Sequence, residues 1–191
     1  MPILPAEDDT YPPDLFEQSA EAAQWWAIYT RSRQEKQLMR RLREAKVGFY
    51  APMIARRVRS PAGRVRVSHL PLFPNYVFLC GDNDARYQAV CTGTVSRCIE
   101  VDDSLQLVTD LRQIRDLIAI GEPLAPESRL DAGDRVRVKT GQFAGFEGRI
   151  VRRQQETRLV VDVRFMNQGA SVLLEDCQLE LLERAVIEKQ D

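Results

Sequence analysis

Residues 121–131, GEPLAPESRLD, hold two prolines and no hydrophobic period, and they separate two stretches of chain with different repeats. Proline fixes φ and has no N–H to donate, so such a segment sustains neither a helix nor a central strand. Residues 24–120 mix period-2 and helical patterns, whereas residues 132–184 carry only short alternating runs. This switch predicts two domains, 24–120 and 132–184, joined by a linker at 121–131. The expected fold class is α+β, with an all-β module at the C-terminal end.

In the first domain, WWAIYT (25–30) reads as a strand. A helix is predicted from Gln34 to Lys46. There Leu38, Leu42 and Ala45 form an apolar stripe, Lys36, Arg40 and Arg43 a basic one, and Gly48 the stop. The next strand, 47–59, contains Pro52 and is assigned to an edge. A turn at SPAG (60–63) leads into RVRV, so Arg56, Arg57, Arg59, Arg64 and Arg66 gather about a hairpin tip. In PLFPNYVFLC (71–80) the prolines make the entry irregular, and alternation starts at Tyr76. Tyr76, Phe78 and Cys80 face one way, and Val77 and Leu79 the other. Val77, Leu79 and Trp26 are assigned to the core. A short helix near 84–91 and a strand near 95–101 follow. Leu107, Leu111, Ile114 and Ile118 then mark an amphipathic helix that Gly121 ends. Residues 1–23, with four prolines and several acids, read as an acidic tail that is disordered or loosely docked.

The formal charge of −1 conceals a strong asymmetry. Residues 1–30 carry −6, residues 31–66 carry +10, residues 82–131 carry −5, and residues 132–191 are balanced. A basic block this dense attracts polyanions. The four cysteines lack paired spacing and His69 is the only histidine, so no zinc site is expected and the thiols read as reduced and mostly buried. There is no Ser-His-Asp or Cys-His set and no carboxylate pair, so no enzymatic activity and no cofactor are expected. No apolar run reaches the ~20 residues that cross a bilayer, and the N-terminus lacks a signal-peptide pattern. A cytoplasmic monomer without membrane attachment is the expectation.

In the second domain, the runs at 134–140, 148–153, 159–165 and 171–179 fit a small barrel of about five strands. In GQFAGFEG, Gly141, Gly145 and Gly148 permit turn conformations, and Phe143 and Phe146 plug the barrel. Their spacing matches neither a Walker A loop nor a dinucleotide fingerprint.

The WWAIYT strand, the basic helix and PLFPNYVF, in that order, closely resemble the N-terminal domain of the NusG family of transcription elongation factors. GDRVRVKTGQFAGFEGRIV (133–151) resembles the KOW motif, which ribosomal proteins also carry, so a KOW-type RNA-binding or ribosome-associated protein is the alternative reading, as is a housekeeping factor acting at all genes. The resemblance covers about residues 25–184 and implies a ferredoxin-like NGN α/β sandwich linked to an SH3-like KOW barrel. APMI followed by LPLFPNYVF, together with YTRSRQEK, is similar to the specialised antiterminators related to RfaH rather than to the housekeeping member.

The resemblance implies that Trp25, Tyr29, Phe73, Tyr76 and Phe78 form a pocket for the clamp helices of RNA polymerase, with Phe78 open between core and contact. Arg31, Arg33, Lys36, Gln37, Arg40 and Arg41 would lie near the non-template DNA strand. Specialised relatives touch the polymerase gate loop with a His-Thr-Thr stretch; here Gln88 and Thr92 occupy that helix without a histidine. The 56–66 arginines reach upstream DNA or remain a solvated tip. Phe165, Met166 and Asn167 match the positions that dock a small-subunit ribosomal protein or Rho. Some relatives refold the second domain into a helical hairpin. Three glycines in eight residues at 141–148, each costing about 1 kcal/mol in a helix, and the β-branched run LVVDV oppose that here. Isolated 128–191 should therefore give a β-type circular dichroism spectrum; a helix-dominated one would refute the stable barrel.

Overall fold

The computed structural model describes residues 7–18, 23–59, 63, 65–127, 133–153, 156–175 and 177–184. By packing, the chain forms two compact units, Met1–Leu105 and Gln106–Asp191.

The first unit is built on an antiparallel sheet of β1 (Thr10–Tyr11), β2 (Trp25–Thr30), β3 (Gly48–Tyr50), β6 (Tyr76–Cys80) and β7 (Val95–Glu100), in the order β1-β3-β6-β2-β7. The strands β4 (Met53–Arg59) and β5 (Val65–Pro71) form a separate two-stranded ribbon. The helices are α1 (Leu15–Gln18), α2 (Glu35–Glu44) and α3 (Asn83–Cys91).

The register pairs Trp26 with Leu79 and Ile28 with Val77, so these four side chains share one face of the sheet. That face packs on Leu38, Met39 and Leu42 of α2 and on Phe49 and Ala89, forming a core cluster. Fully burying one such side chain stabilises a fold by about 1.5–3 kcal/mol. Trp26 also donates its indole N–H to the Gly81 carbonyl at 2.9 Å. Asp82 caps α3 by accepting the Ala85 N–H at 2.9 Å. The core assignments of Trp26, Val77 and Leu79 agree with this packing.

Over 7–18 the acidic segment is docked on the sheet, which corrects the expectation of disorder. This segment adds β1 to the edge at β3, pairing Thr10 with Tyr50 and Tyr11 with Phe49. Leu15 and Phe16 are buried, and Phe16 stacks on Trp25 with centroids 6.1 Å apart. Two paired residues and a one-turn helix are too short to leave a hydrophobic period in the sequence, which is why the segment looked structureless. Residues 1–6 and 19–22 of the expected tail lie outside the described residues.

The second unit holds most of α4 (Ser104–Ile120) and a six-stranded antiparallel sheet. Its strands are β8 (Ala125–Glu127), β9 (Arg135–Val138), β10 (Glu147–Arg153), β11 (Glu156–Val163), β12 (Gln168–Leu173) and β13 (Leu179–Glu183), in the order β13-β9-β10-β11-β12-β8. The sequence reading grouped α4 with 24–120; packing groups it from Gln106 onward with this sheet. Side-chain bonds tie it there. Asp110 accepts the Arg164 N–H at 3.0 Å, and Gln113 accepts the Glu147 N–H at 3.0 Å. Part of the expected linker is a strand. Ala125–Glu127 pairs with Gly169–Ser171, and Pro126 fits because β8 is an edge.

Two of the three turn glycines have positive φ, Gly141 at 87° and Gly145 at 92°. Gly148 serves another purpose. It lies inside β10, where an added Cβ would press into the Val160 carbonyl oxygen. Phe143 is buried, and Phe146, half-buried, packs edge-on against it at 6.4 Å. The cysteines are free thiols, three half-buried and Cys91 exposed, which corrects the expectation of mostly buried thiols. Among the described residues, no helix is long and apolar enough to cross a membrane. Gly148→Ala should cost about 1–3 kcal/mol through overpacking against β11, read as a lower urea midpoint. An unchanged midpoint would show that the strands separate freely there.

Candidate functional site

The second face of the first unit's sheet carries the aromatic series. The pairs Trp25–Cys80, Ala27–Phe78 and Tyr29–Tyr76 run along it, with Tyr50 opposite Phe78. Exposure grows from one end to the other. Trp25 is enclosed by Phe16, and Phe16 in turn meets Tyr50 edge-on at 5.1 Å. Phe78 is fully buried and meets Phe73 edge-on at 6.2 Å. Tyr29 is 37% exposed and Tyr76 half-buried, and their rings meet edge-on at 5.1 Å.

Of the five residues expected in the contact patch, only Tyr29 and Tyr76 reach the surface. Trp25, Phe73 and Phe78 are core, with Phe73 only 2% exposed. Alternation correctly put Tyr76 and Phe78 on one face. It carries no information about the non-local cover that hides Trp25, and none about the loop residue Phe73, which closes over Phe78.

The basic residues lie on the turn that follows Tyr29 and on α2, which covers the opposite face of the sheet. Arg31 and Arg33 are exposed on the turn after β2, where Arg33 takes a left-handed φ of 60°. On α2, Gln37, Arg40 and Arg41 are exposed and Lys36 is half-buried. The i,i+4 spacing sets Lys36 beside Arg40, and Gln37 beside Arg41. Leu38, Met39 and Leu42 anchor the opposite side in the core, so the charged face must point outward.

Sequence reasoning missed Glu35. Its side chain is only 7% exposed, and its Oε1 accepts the Asn75 N–H at 2.8 Å. Asn75 has a left-handed φ of 68°, and its carbonyl accepts the Thr30 N–H at 2.7 Å. One buried carboxylate thus fixes the turn before Tyr76 to the first turn of the basic helix. An acid at the start of an otherwise basic helix is the signal that marked it.

Sequence reasoning also missed the ligands of Arg40 and Arg43. Glu7 holds Arg40 through two bonds, at 2.6 and 3.0 Å, and the Asp8 carbonyl accepts from Arg43 at 2.6 Å. The Arg40 hydrogen bond lowers the Glu7 pKa, opposed by burial and aided by the charges of Arg40, Lys36 and Arg43. Arg41 pairs with Glu44 at 3.3 Å. A pocket of about 290 Å³ between α2 and α3 is lined by Arg41, Leu42, Ala45, Gln88, Cys91 and Thr92. It brings Arg41 together with Gln88 and Thr92, residues the sequence reading assigned to different contacts. On the ribbon, Arg56 and Arg57 are exposed; Arg64 lies outside the described residues.

In the second unit, Phe165 is 38% exposed, Met166 half-buried and Asn167 exposed. Arg164–Met166 form a single 3-10 turn after β11, which Asn167 closes at a φ of 51°. Asp110 anchors this turn through the Arg164 N–H, and Arg164 donates to Gln106 at 2.8 Å. Burial raises the Asp110 pKa. The Arg164 N–H, Gln106 and the Arg164 charge oppose that shift, while Asp162 adds to it. An acid with a raised folded pKa binds more protons folded than unfolded, so this group favours folding more as pH falls. The wild-type urea midpoint should therefore rise relative to that of Asp110→Asn between neutral pH and about pH 4. A constant difference between the two proteins would refute the burial effect.

No curated protein matches the chain. Among solved structures the chain is similar to the crystal structure of the MjSpt4:Spt5 complex in conformation B. The identity is 15% and the TM-score 0.27, over 84% of this chain and 99% of that one. A KOW motif matches residues 132–162. The family described as transcription termination factor nusG matches residues 23–121, more than half of the chain, so the protein belongs to the NusG family of transcription elongation factors.

Proposed function

We propose that the protein is a non-enzymatic elongation and antitermination factor that holds RNA polymerase at the clamp helices through Tyr29 and Tyr76. It holds the non-template DNA strand through Arg31, Arg33, Lys36, Gln37, Arg40 and Arg41. The observation that carries this reading is the exposed tyrosine pair, joined to the start of the basic helix by the Glu35–Asn75 bond. Aromatic side chains contribute large rigid contact area at little entropic cost and dominate interface energetics. Arginines bind phosphate and stack on unpaired bases. A protein that spans two parts of the polymerase favours its closed, unpaused state. A preference of about 1.4 kcal/mol for that state shifts the balance tenfold.

The exposed Phe165 and the half-buried Met166 supply a second docking point, which fits a small-subunit ribosomal protein. The segments APMI and LPLFPNYVF favour a specialised factor of the RfaH kind over a housekeeping one. Confinement of the factor to a few long operons in chromatin occupancy would support specialisation, and uniform occupancy would refute it.

Two substitutions on the same segment separate contact from core. Tyr76→Ala should weaken binding to RNA polymerase by about 2 kcal/mol or more with an unchanged unfolding midpoint. Phe73→Ala should instead cost about 3–5 kcal/mol of stability. If Tyr29→Ala and Tyr76→Ala both bind polymerase like wild type, the proposed contact is wrong.

A further inference from the structure

The segment Glu7–Gln18 meets both candidate surfaces, and its two ends are held differently. At the far end Leu15 and Phe16 are buried, and Phe16 stacks on Trp25. At the near end the attachments are polar. Glu7 lies on Arg40, the Asp8 carbonyl on Arg43, and the Asp9 carbonyl accepts the Ala51 N–H at 2.8 Å. In the pair the Arg40 side chain stays 55% exposed and the Glu7 side chain 20%. Exposed ion pairs are weak and weaken further in salt, so the near end can lift while the far end stays packed.

The Glu7 carboxylate meets Arg40 with two bonds, the fork geometry by which arginine also takes phosphate. Lys36 and Arg43 add positive charge around the same carboxylate. Glu7 fills the Nε–Nη2 edge of that arginine, so chain and ligand compete for the same fork.

We infer that residues 7–9 are a built-in competitor for nucleic-acid phosphate on α2, and that a single strand binds Arg40 and Arg43 only by lifting them. The inference rests on the proposed DNA-binding role of α2. Lifting residues 7–9 leaves Phe16 on Trp25, so the sheet stays intact while the basic face opens. The device sets a threshold. A weak or dilute polyanion leaves the near end closed, and a strand held close by a bound polymerase displaces it.

The test uses the full chain and a fluorescein-labelled oligothymidylate of about 12 nucleotides, followed by anisotropy at fixed low salt. Glu7→Gln should bind about two- to fivefold tighter than wild type, and Glu7→Lys tighter still. Arg40→Ala should bind more weakly, and Glu7→Gln added to Arg40→Ala should change nothing further. In wild type, the oligonucleotide should speed hydrogen exchange at the Ala51 amide. Wild-type affinity in both Glu7 variants, with Arg40→Ala still weakened, would overturn the competitor and leave the DNA-binding face standing. Wild-type affinity in Arg40→Ala and Lys36→Ala together would overturn that face, and the competitor with it.

Discussion

Strand β2 is interior to its sheet and buried on both faces along most of its length, and the rest of the first unit follows from that requirement. An antiparallel sheet ordinarily leaves one face to water. Here Trp26 and Ile28 are covered by α2 on one face, while Trp25 and Ala27 on the other are also sealed. Cover on the second face stops before Tyr29. The candidate contact is thus the uncovered end of an otherwise buried row. This explains why the tyrosines are the usable part of the series. They have the same strand and orientation as Trp25 and Phe78, and differ only in what lies above them.

Burying the second face requires the N-terminal segment. Phe16 shields Trp25, and its short connection through β1 brings Glu7 and Asp8 over α2. The −6 of residues 1–30 and the +10 of residues 31–66 are therefore partly partners in the fold. Part of the basic block is matched internally, through Glu7, Glu44 and the Asp8 carbonyl. Arg31 and Arg33 lie outside those three contacts on the preceding turn.

The elements with a clear period were legible in sequence. The strand of WWAIYT, the helix over Leu38 and Leu42, and the alternation after Asn75 all correspond to observed elements because local pattern decides them. Three features were not. The strand β1 is two residues long and exists only because the edge of β3 accepts it. The strand β8 contains Pro126, which sequence logic treats as a break although an edge tolerates it. The burial of Phe73 depends on a loop closing over Phe78, and no periodicity describes a loop. For the site, residue types and faces were readable, whereas cover and pairing arise from contacts distant in sequence.

The Glu35–Asn75 bond shows how the two candidate surfaces are tied mechanically. A buried carboxylate must be satisfied, and here it accepts a backbone N–H of the turn that delivers Tyr76. The same turn accepts the Thr30 N–H, and the next residue, Arg31, donates its own to Thr94. The basic turn, the start of the basic helix and the tyrosine pair are thus held by one continuous set of bonds. A load on Tyr76 acts through Asn75 on the first turn of α2, and a load on Arg31 acts through Thr30 on Asn75. Fixed spacing between an aromatic anchor and a row of cations is what a protein needs to hold two parts of a larger assembly at a set distance, and flexible attachment of either would forfeit it.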